Sequence, residues 1–307
     1  MAETSSTASP HGPRLRQGRG DRALDCWLAG AVAPRRDAPP IVAVHGISRQ
    51  ARQQAELLAD RAGRLGRLVI APHFDAVRWH RYQQVVRGGR SDLALLALMA
   101  ELRLAGVWRT STFDLAGYSG GAQFAHRFAM LYPNLVRRLT TCSAGWYTHP
   151  DETGFPYGLG GADRRDTGWD WRMRAGLDRF LALPIRIAVG SEDCVSDPNT
   201  RRGAVIDAQQ GTDRLERAQR WASALARAAV ARNLRADVAV TVLPGCGHDF
   251  AECVVRGGLD RVIMGPGEAD ATASATVQSP NGHTEDHACA VSSCGSLAGV
   301  QKKGTAP

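Results

Sequence analysis

Between residues 40 and 243, apolar runs rich in β-branched residues alternate with longer stretches whose apolar residues recur at helical spacing. Strands that alternate with helices in this way form a mostly parallel sheet covered on both faces. We therefore predict an α/β fold. The strand-like runs are 40–44, 68–71, 112–116, 135–143, 184–189 and 236–243, and the helix-like stretches are 48–65, 92–104, 122–131 and 212–232.

The composition changes at both ends of this region. Residues 1–20 are polar and contain Pro and Gly, and residues 265–307 hold few large apolar side chains. Segments of this kind cannot bury enough apolar surface to offset the entropy lost on ordering. We predict a disordered arm at 1–20, one folded domain at 21–264 and a disordered tail at 265–307.

One segment within the predicted domain has no clear period. Residues 146–180 are rich in Gly, Trp, Asp and Arg. Long excursions in α/β scaffolds usually lie over the carboxyl ends of the strands, where ligands bind. We predict a small cap there, the alternative being an ordered surface loop without substrate contact. Its aromatic residues are candidates for lining a substrate pocket, although core packing explains them almost as well: Trp146, Tyr147, Phe155 and Tyr157.

The formal net charge of the 307 residues is +8, a balance that would suit a nucleic-acid partner. The arginines are scattered, however, and no segment interleaves basic and aromatic residues, so we predict no nucleic-acid binding. No apolar run approaches the roughly 18 residues that span a membrane. The N-terminus also lacks the apolar stretch of a secretory signal. The sequence therefore predicts a cytoplasmic protein without a membrane partner.

The cysteine and histidine content favours neither disulfides nor a metal. Seven cysteines is an odd number, and without a signal peptide a disulfide framework is not expected. The tail contains His and Cys, residue types that bind zinc in other proteins, but their spacing fits no strong zinc pattern. These residues are His283, His287, Cys289 and Cys294. The domain cysteines are interpreted as small thiols: Cys26, Cys142, Cys194, Cys246 and Cys253.

The strongest motif is G-x-S-x-G at residues 117–121, with Ser119 at its centre. It lies directly after a predicted strand and before a predicted helix, which is the context that this motif requires. The serine of such a motif occupies a tight turn that exposes its hydroxyl above the sheet, and the flanking positions must be nearly free of side chains. Ser119 is therefore the candidate nucleophile.

A second element follows the 40–44 strand, where His45, Gly46 and Ile47 begin a loop. Acyl transfer needs N–H donors aimed at the oxyanion that forms. In this architecture one donor comes from the residue after the nucleophile and one from the loop after this earlier strand. We assign the backbone amides of Gly120 and Ile47, and we interpret His45 as a packing side chain.

The base and the acid are expected in the last two loops. His248 lies in a glycine-rich loop directly after the final predicted strand, where an imidazole can take the proton of the serine. Asp193 follows the preceding strand, which gives the chain order serine, acid, histidine that is expected for this architecture. Glu192 and Asp197 compete for the acid's role, and Asp197, before a proline, would also suit a turn.

Several of these segments resemble the α/β-hydrolase superfamily: GYSGGAQFAHRFAMLYP, HGISR, AGWYTHPD, and VGSEDCVSDP with QGTDRLERAQRW. Over residues 40–260 they are similar to bacterial esterases of the poly(3-hydroxybutyrate) depolymerase-like branch. The resemblance implies an α/β-hydrolase fold and a carboxylic ester hydrolase that needs no cofactor and acts on a small-molecule or acyl ester. A thioesterase or an acyltransferase would use the same triad. A non-catalytic receptor on this fold would typically lack one of its members.

Overall fold

The strands of the domain form a single mixed sheet. A computed structural model describes residues 10–86, 89–161, 168–195, 197–198 and 200–265. Within these ranges the strands are β1 (Arg14–Arg16), β2 (Cys26–Gly30), β3 (Ile41–Val44), β4 (Leu68–Pro72), β5 (Phe113–Tyr118), β6 (Val136–Cys142), β7 (Pro184–Gly190) and β8 (Asp237–Leu243). Their order across the sheet is β1-β2-β4-β3-β5-β6-β7-β8. β2 pairs antiparallel with β1 and with β4, and every other pair of neighbours is parallel.

Helices cover both faces of the sheet. They are α1 (Ala51–Arg64), α2 (Ser91–Leu104), α3 (Gly120–Leu131), α4 (Trp169–Ala175), α5 (Leu177–Leu181), α6 (Ala204–Gln210), α7 (Arg214–Val230), α8 (Phe250–Val255) and α9 (Leu259–Met264). In the ranges that the structure describes, none of the helices combines the length and the apolar character needed to cross a membrane.

Two apolar cores result from the alternation of side chains along the strands. In β3, Val42 and Val44 face one core, while Ile41 and Ala43 face the other. Successive strand residues point to opposite faces, so a strand buried on both sides reads as a continuous apolar run. The first core takes its helical residues from α2, α3, α4, α5 and α7, and the second from α1, α8 and α9. The predicted α/β fold, with a mostly parallel sheet between two helical layers, is confirmed.

The predicted disordered arm is wrong for residues 14–16. This segment forms β1, which pairs with β2 in the register Arg14 to Leu28 and Arg16 to Cys26. An ion pair of 2.9 Å between Arg16 and Glu101 ties the strand to α2. A strand this short and polar has no apolar alternation, so the sequence pattern does not reveal it. Residues 1–9 of the predicted arm, and the predicted tail from residue 266 onward, lie outside the described residues.

The segment predicted as a cap divides into two structural parts. Residues 146–161 are an irregular loop beyond the carboxyl end of β6. Residues 169–181 contain α4 and α5, whose Trp169, Met173 and Phe180 are buried in the first core. Parallel strands need a crossover, usually helical, and α4 and α5 supply it between β6 and β7. They therefore belong to the helical layer of the sheet.

Candidate active site

Ser119 occupies a strained turn between β5 and α3. Its backbone has φ 53° and ψ −115°, a conformation that residues with a side chain rarely adopt. Its amide donates a hydrogen bond of 2.8 Å to the carbonyl of Cys142 at the end of β6, which holds the turn against the sheet. The chain passes itself so closely here that a Cβ on Gly121 would lie 2.0 Å from the Val44 carbonyl oxygen. The glycine positions of the motif therefore follow from backbone contact.

His248 reaches Ser119 from the loop between β8 and α8. Its Nε2 lies 3.1 Å from Ser119 Oγ, and its Nδ1 lies 2.8 Å from Asp193 Oδ2. A carboxylate beside Nδ1 favours the tautomer in which Nδ1 carries the proton, and Nε2 is then free to accept the serine proton. The ring of Tyr118 stacks on the imidazole, with centroids 5.2 Å apart. The structure thus brings together the three side chains that the sequence analysis selected.

The structure also separates the two competing aspartates. Asp193 is 3% exposed and faces His248. Asp197 accepts hydrogen bonds from Thr200 at 3.1 Å and from Arg214 at 2.8 Å. The guanidinium of Arg214 lies between the two carboxylates, since its other terminal nitrogen is 3.0 Å from Asp193 Oδ1. The sequence analysis missed this arginine, because nothing in the spacing of residues 193 and 214 predicts that they meet.

The backbones of Ile47 and Gly120 lie close together, and Gly120 directly follows Ser119. A Cβ on Gly120 would lie 2.8 Å from Ile47 Cγ2 and 3.5 Å from the Ile47 amide nitrogen. Within the described ranges, neither amide donates a hydrogen bond to a protein group. Unpaired N–H groups beside a nucleophile are the geometry that stabilises an oxyanion. The closeness of the two unpaired amides to each other and to Ser119 is consistent with the predicted pair of donors.

His45 holds the loop that carries Ile47. Its Nε2 accepts a hydrogen bond of 3.0 Å from the Phe74 amide, and its own carbonyl accepts one of 2.6 Å from the Tyr82 hydroxyl. The side chain is fully buried, and burial lowers the pKa of His45 to about 3, so the ring is neutral at ordinary pH. Its contacts are those of a packing residue. Arg49, in the same loop, donates to the carbonyls of residues 74 and 75, so it too is a structural residue.

A cleft of about 330 Å³ opens over Ser119. Gln50, Gln53 and Gln54 line it at the beginning of α1, and Asp249 and Phe250 also line it. Gln54 is 3% exposed, and its Oε1 has no hydrogen-bond partner in the described part of the chain. The glutamine wall is a second feature that the sequence analysis missed. Its signal is a polar residue at position 54 on a face that otherwise buries Ala51, Ala55 and Leu58.

The four aromatic candidates of the predicted cap are not among the residues that line this cleft. Tyr147 is fully buried and stacks on Trp221, with centroids 4.3 Å apart. Trp146 packs under the guanidinium of Arg127 at 4.0 Å and edge-on to Tyr157 at 5.1 Å. Phe155 packs against the first core. Trp146 and Tyr147 are buried and Phe155 and Tyr157 are half-buried, and all four pack against neighbouring side chains.

The cysteines of the described residues are free thiols. The loops that carry Cys194 and Cys246 are in contact, since the Glu192 amide donates a hydrogen bond of 3.0 Å to the Cys246 carbonyl. Cys194 is exposed, whereas the thiol of Cys246 is buried and lies 3.5 Å from the Pro244 carbonyl. In the same ranges, no three His, Cys, Asp or Glu side chains are grouped to hold a metal ion. The metal-binding residue types of the tail, residues 283–294, lie outside the described residues.

The fold around this candidate site is similar to that of several solved structures. No family model and no curated protein sequence matches the chain. Among solved structures, poly(aspartic acid) hydrolase-1 from Sphingomonas sp. KT-1 superposes with a TM-score of 0.71 at 21% identity, over 82% of this chain and 98% of that one. LpqC, a poly(3-hydroxybutyrate) depolymerase from Bordetella parapertussis, gives 0.66 at 26% identity, over 86% and 94%. The strand order, the strained turn at Ser119 and these similarities together show that the chain has the α/β-hydrolase fold.

Proposed function

We propose that the protein is a serine hydrolase that cleaves a carboxylic ester through an acyl-enzyme on Ser119. The observation that carries the proposal is the continuous hydrogen-bonded relay from Ser119 through His248 to Asp193, with distances of 3.1 and 2.8 Å, beside two unpaired amides. The similarity to LpqC, which is a poly(3-hydroxybutyrate) depolymerase, supports ester hydrolysis.

In the proposed reaction His248 Nε2 takes the proton of Ser119 as Oγ attacks the ester carbonyl carbon. The negative charge that develops on the carbonyl oxygen is stabilised by the amides of Ile47 and Gly120. The imidazolium is stabilised by Asp193 and returns its proton to the departing alcohol. Water, deprotonated by the same imidazole, then attacks the acyl-enzyme, releases the acid and restores the serine.

The first test is covalent labelling of Ser119. A fluorophosphonate should label the wild-type protein at this residue, and neither Ser119→Ala nor His248→Ala should react appreciably, because an unassisted hydroxyl is a poor nucleophile. Ser119→Ala should lose turnover of p-nitrophenyl acetate by on the order of 10⁴-fold or more while remaining folded. A wild-type protein that resists the probe and hydrolyses no short or medium acyl ester would overturn the enzyme assignment. A thioester preferred over its oxygen ester would redirect the proposal to a thioesterase.

We further propose that the substrate carries hydrogen-bonding groups close to the scissile bond. The wall of the cleft nearest α1 consists of carboxamides, and Gln54 is buried there with an acceptor that has no partner in the described residues. A long alkyl chain packed against this wall would leave buried amides unpaired, at a cost of about 1–3 kcal/mol for each.

A matched ester pair tests this preference. The 3-hydroxypropanoyl and butyryl groups have nearly the same size, but the first has a hydroxyl, which can donate to or accept from a carboxamide, where the second has a methyl. Gln53→Leu should lower the ratio of kcat/KM for p-nitrophenyl 3-hydroxypropanoate over butyrate by about 3- to 10-fold, as expected for the loss of one hydrogen bond. Gln219→Leu, an exposed change on α7, is the control and should leave the ratio unaltered. An unchanged ratio in Gln53→Leu would remove the glutamine wall from substrate recognition.

A further inference from the structure

We propose that Arg214 is a positioning residue of the active site, which orients the Asp193 carboxylate toward His248 and offsets part of its negative charge. This inference rests on the proposed function, in which Asp193 supports the catalytic imidazole. The side chains of Arg214 and Asp193 are each only 2% exposed, and they are joined by a contact of 3.0 Å. Because Arg214 contacts the proposed catalytic acid directly and is shielded from water, it can affect both the orientation and the charge of that carboxylate.

The backbone of Arg214 is fixed by its place in α7. Arg214 is the first residue of that helix, and the preceding Asp213 caps the helix by accepting a hydrogen bond of 2.8 Å from the Glu216 amide. From this position the guanidinium spans two carboxylates, with Nη1 on Asp193 Oδ1 and Nη2 on Asp197 Oδ2 at 2.8 Å. The planar fork of arginine holds two partners in one orientation, which a lysine ammonium cannot do.

This arrangement gives the two oxygens of Asp193 separate partners. Oδ1 accepts from Arg214, and Oδ2 faces His248 Nδ1 at 2.8 Å. A carboxylate tied at one oxygen cannot turn freely about its χ2 bond, so the other oxygen stays on the imidazole. Arg214 therefore contributes to the geometry of the relay without touching the substrate.

Arg214 orients Asp193 toward His248, but its positive charge also makes the protonated form of the imidazole less stable. A positive charge beside Asp193 weakens the attraction of that carboxylate for the imidazolium. The Tyr118 ring stacks on His248, and burial keeps its phenol neutral by raising its pKa, whereas the carboxylate of the next residue, Asp249, caps α8 by accepting a hydrogen bond of 2.8 Å from the Glu252 amide. Asp197 lies behind Arg214 and shares its charge. Loss of the positive charge of Arg214 should therefore change the pH dependence of the rate, whereas loss of the planar guanidinium alone should lower kcat without changing the pH dependence.

Two substitutions separate these effects. In Arg214→Gln, kcat for p-nitrophenyl acetate should fall by about 10- to 100-fold with KM nearly unchanged, the loss typical of residues that orient an active group. The acidic limb of its pH–rate profile should move to higher pH by about half to one unit, because two carboxylates then stabilise the imidazolium. In Arg214→Lys the charge remains, so kcat should fall several-fold while the acidic limb stays in place. Arg220→Gln, an exposed position on the same helix, is the control.

An NMR titration of His248 does not depend on enzymatic turnover. It can therefore test the role of Arg214 separately from the proposed function. In a Ser119→Ala background, the NMR titration midpoint of the His248 ring protons should rise when Arg214→Gln is added and should hold when Arg214→Lys is added. If Arg214→Gln does not fold, Asp197→Asn removes one carboxylate and should shift the midpoint downward. Folded Arg214→Gln with wild-type kcat, pH profile and midpoint would overturn the inference, and so would an unmoved midpoint in Asp197→Asn. A wild-type protein without turnover would instead overturn the proposed function.

Discussion

At the scale of single residues, the site depends on a few positions where only one residue type fits, either because the backbone passes too close for a side chain or because a charge is needed. A Cβ on Gly117 would lie 2.2 Å from the Gly121 carbonyl oxygen, and one on Gly121 only 2.0 Å from that of Val44. These contacts are between backbone atoms, so no side-chain movement relieves them. The spacing of glycine and serine, together with the strand and helix predicted on either side, is therefore enough to predict the tight turn at Ser119 that the structure shows.

The two aspartates are distinguished by geometry, and this difference yields a prediction for substitutions that keep their size. Asp193→Asn should lower kcat by up to ~10⁴-fold, since the amide can present N–H groups to Nδ1 and favour the wrong tautomer. Asp197→Asn should lower kcat only a few-fold, because it acts through Arg214. Steady-state kinetics with p-nitrophenyl acetate measure both. The reverse ranking would transfer the role of the acid to Asp197.

At the scale of elements, the sequence predicts the parallel strands and the long helices well. The run 184–189 became β7 (Pro184–Gly190), and the stretch 212–232 became α7 (Arg214–Val230). These elements are buried on both faces or on one broad face, so burial imposes a period on their residues. β1, β2 and α4 lack such a period, being short or formed from Gly, Trp and Arg. The meeting of Arg214 with Asp193 depends on tertiary packing that no local pattern encodes.

The edge strand β1 can be tested by truncation. A chain that begins at residue 19 loses β1, the hydrogen bond of 2.8 Å from the Gly30 amide to the His11 carbonyl, and the ion pair of Arg16 with Glu101. We expect a loss of about 2 kcal/mol in the free energy of unfolding, since each net hydrogen bond contributes about 1 kcal/mol. For a domain of this size Tm should fall by about 4–8 °C in thermal denaturation. A chain that begins at residue 10 is the control, and equal Tm values for the two would show that β1 adds no stability.

At the scale of the whole molecule, buried histidines link stability to pH. Burial lowers the pKa of His45 to about 3 and that of His149 to about 4, and it holds the pKa of His126 well below its ordinary value. These rings are neutral in the folded protein at pH values where the unfolded chain would protonate them. The resulting contribution to stability is fully present above the unfolded pKa of about 6.5 and is lost as the pH falls toward the folded pKa values.

We therefore expect the free energy of unfolding to fall steeply between pH 6 and pH 4.5. Each such histidine adds a slope of up to about 1.4 kcal/mol per pH unit. Urea denaturation at a series of pH values measures the total slope. His149→Gln should reduce the slope by up to about 1.4 kcal/mol per pH unit, the contribution of one histidine. His80→Gln, at an exposed position, should not change the slope. A slope that is the same in the wild type and in His149→Gln would contradict the expectation.

The strand order also determines when, during synthesis, the site becomes complete. From β5 onward each new strand adds beside the previous one, so β8 and the loop of His248 come last. His248 lies 129 residues after Ser119 and 55 after Asp193. At ribosomal speed those 129 residues take roughly 6 to 26 s to make. For that interval the emerging chain carries Ser119 without the imidazole that we propose as its base, so the proposed reaction requires that β8 has first docked on β7.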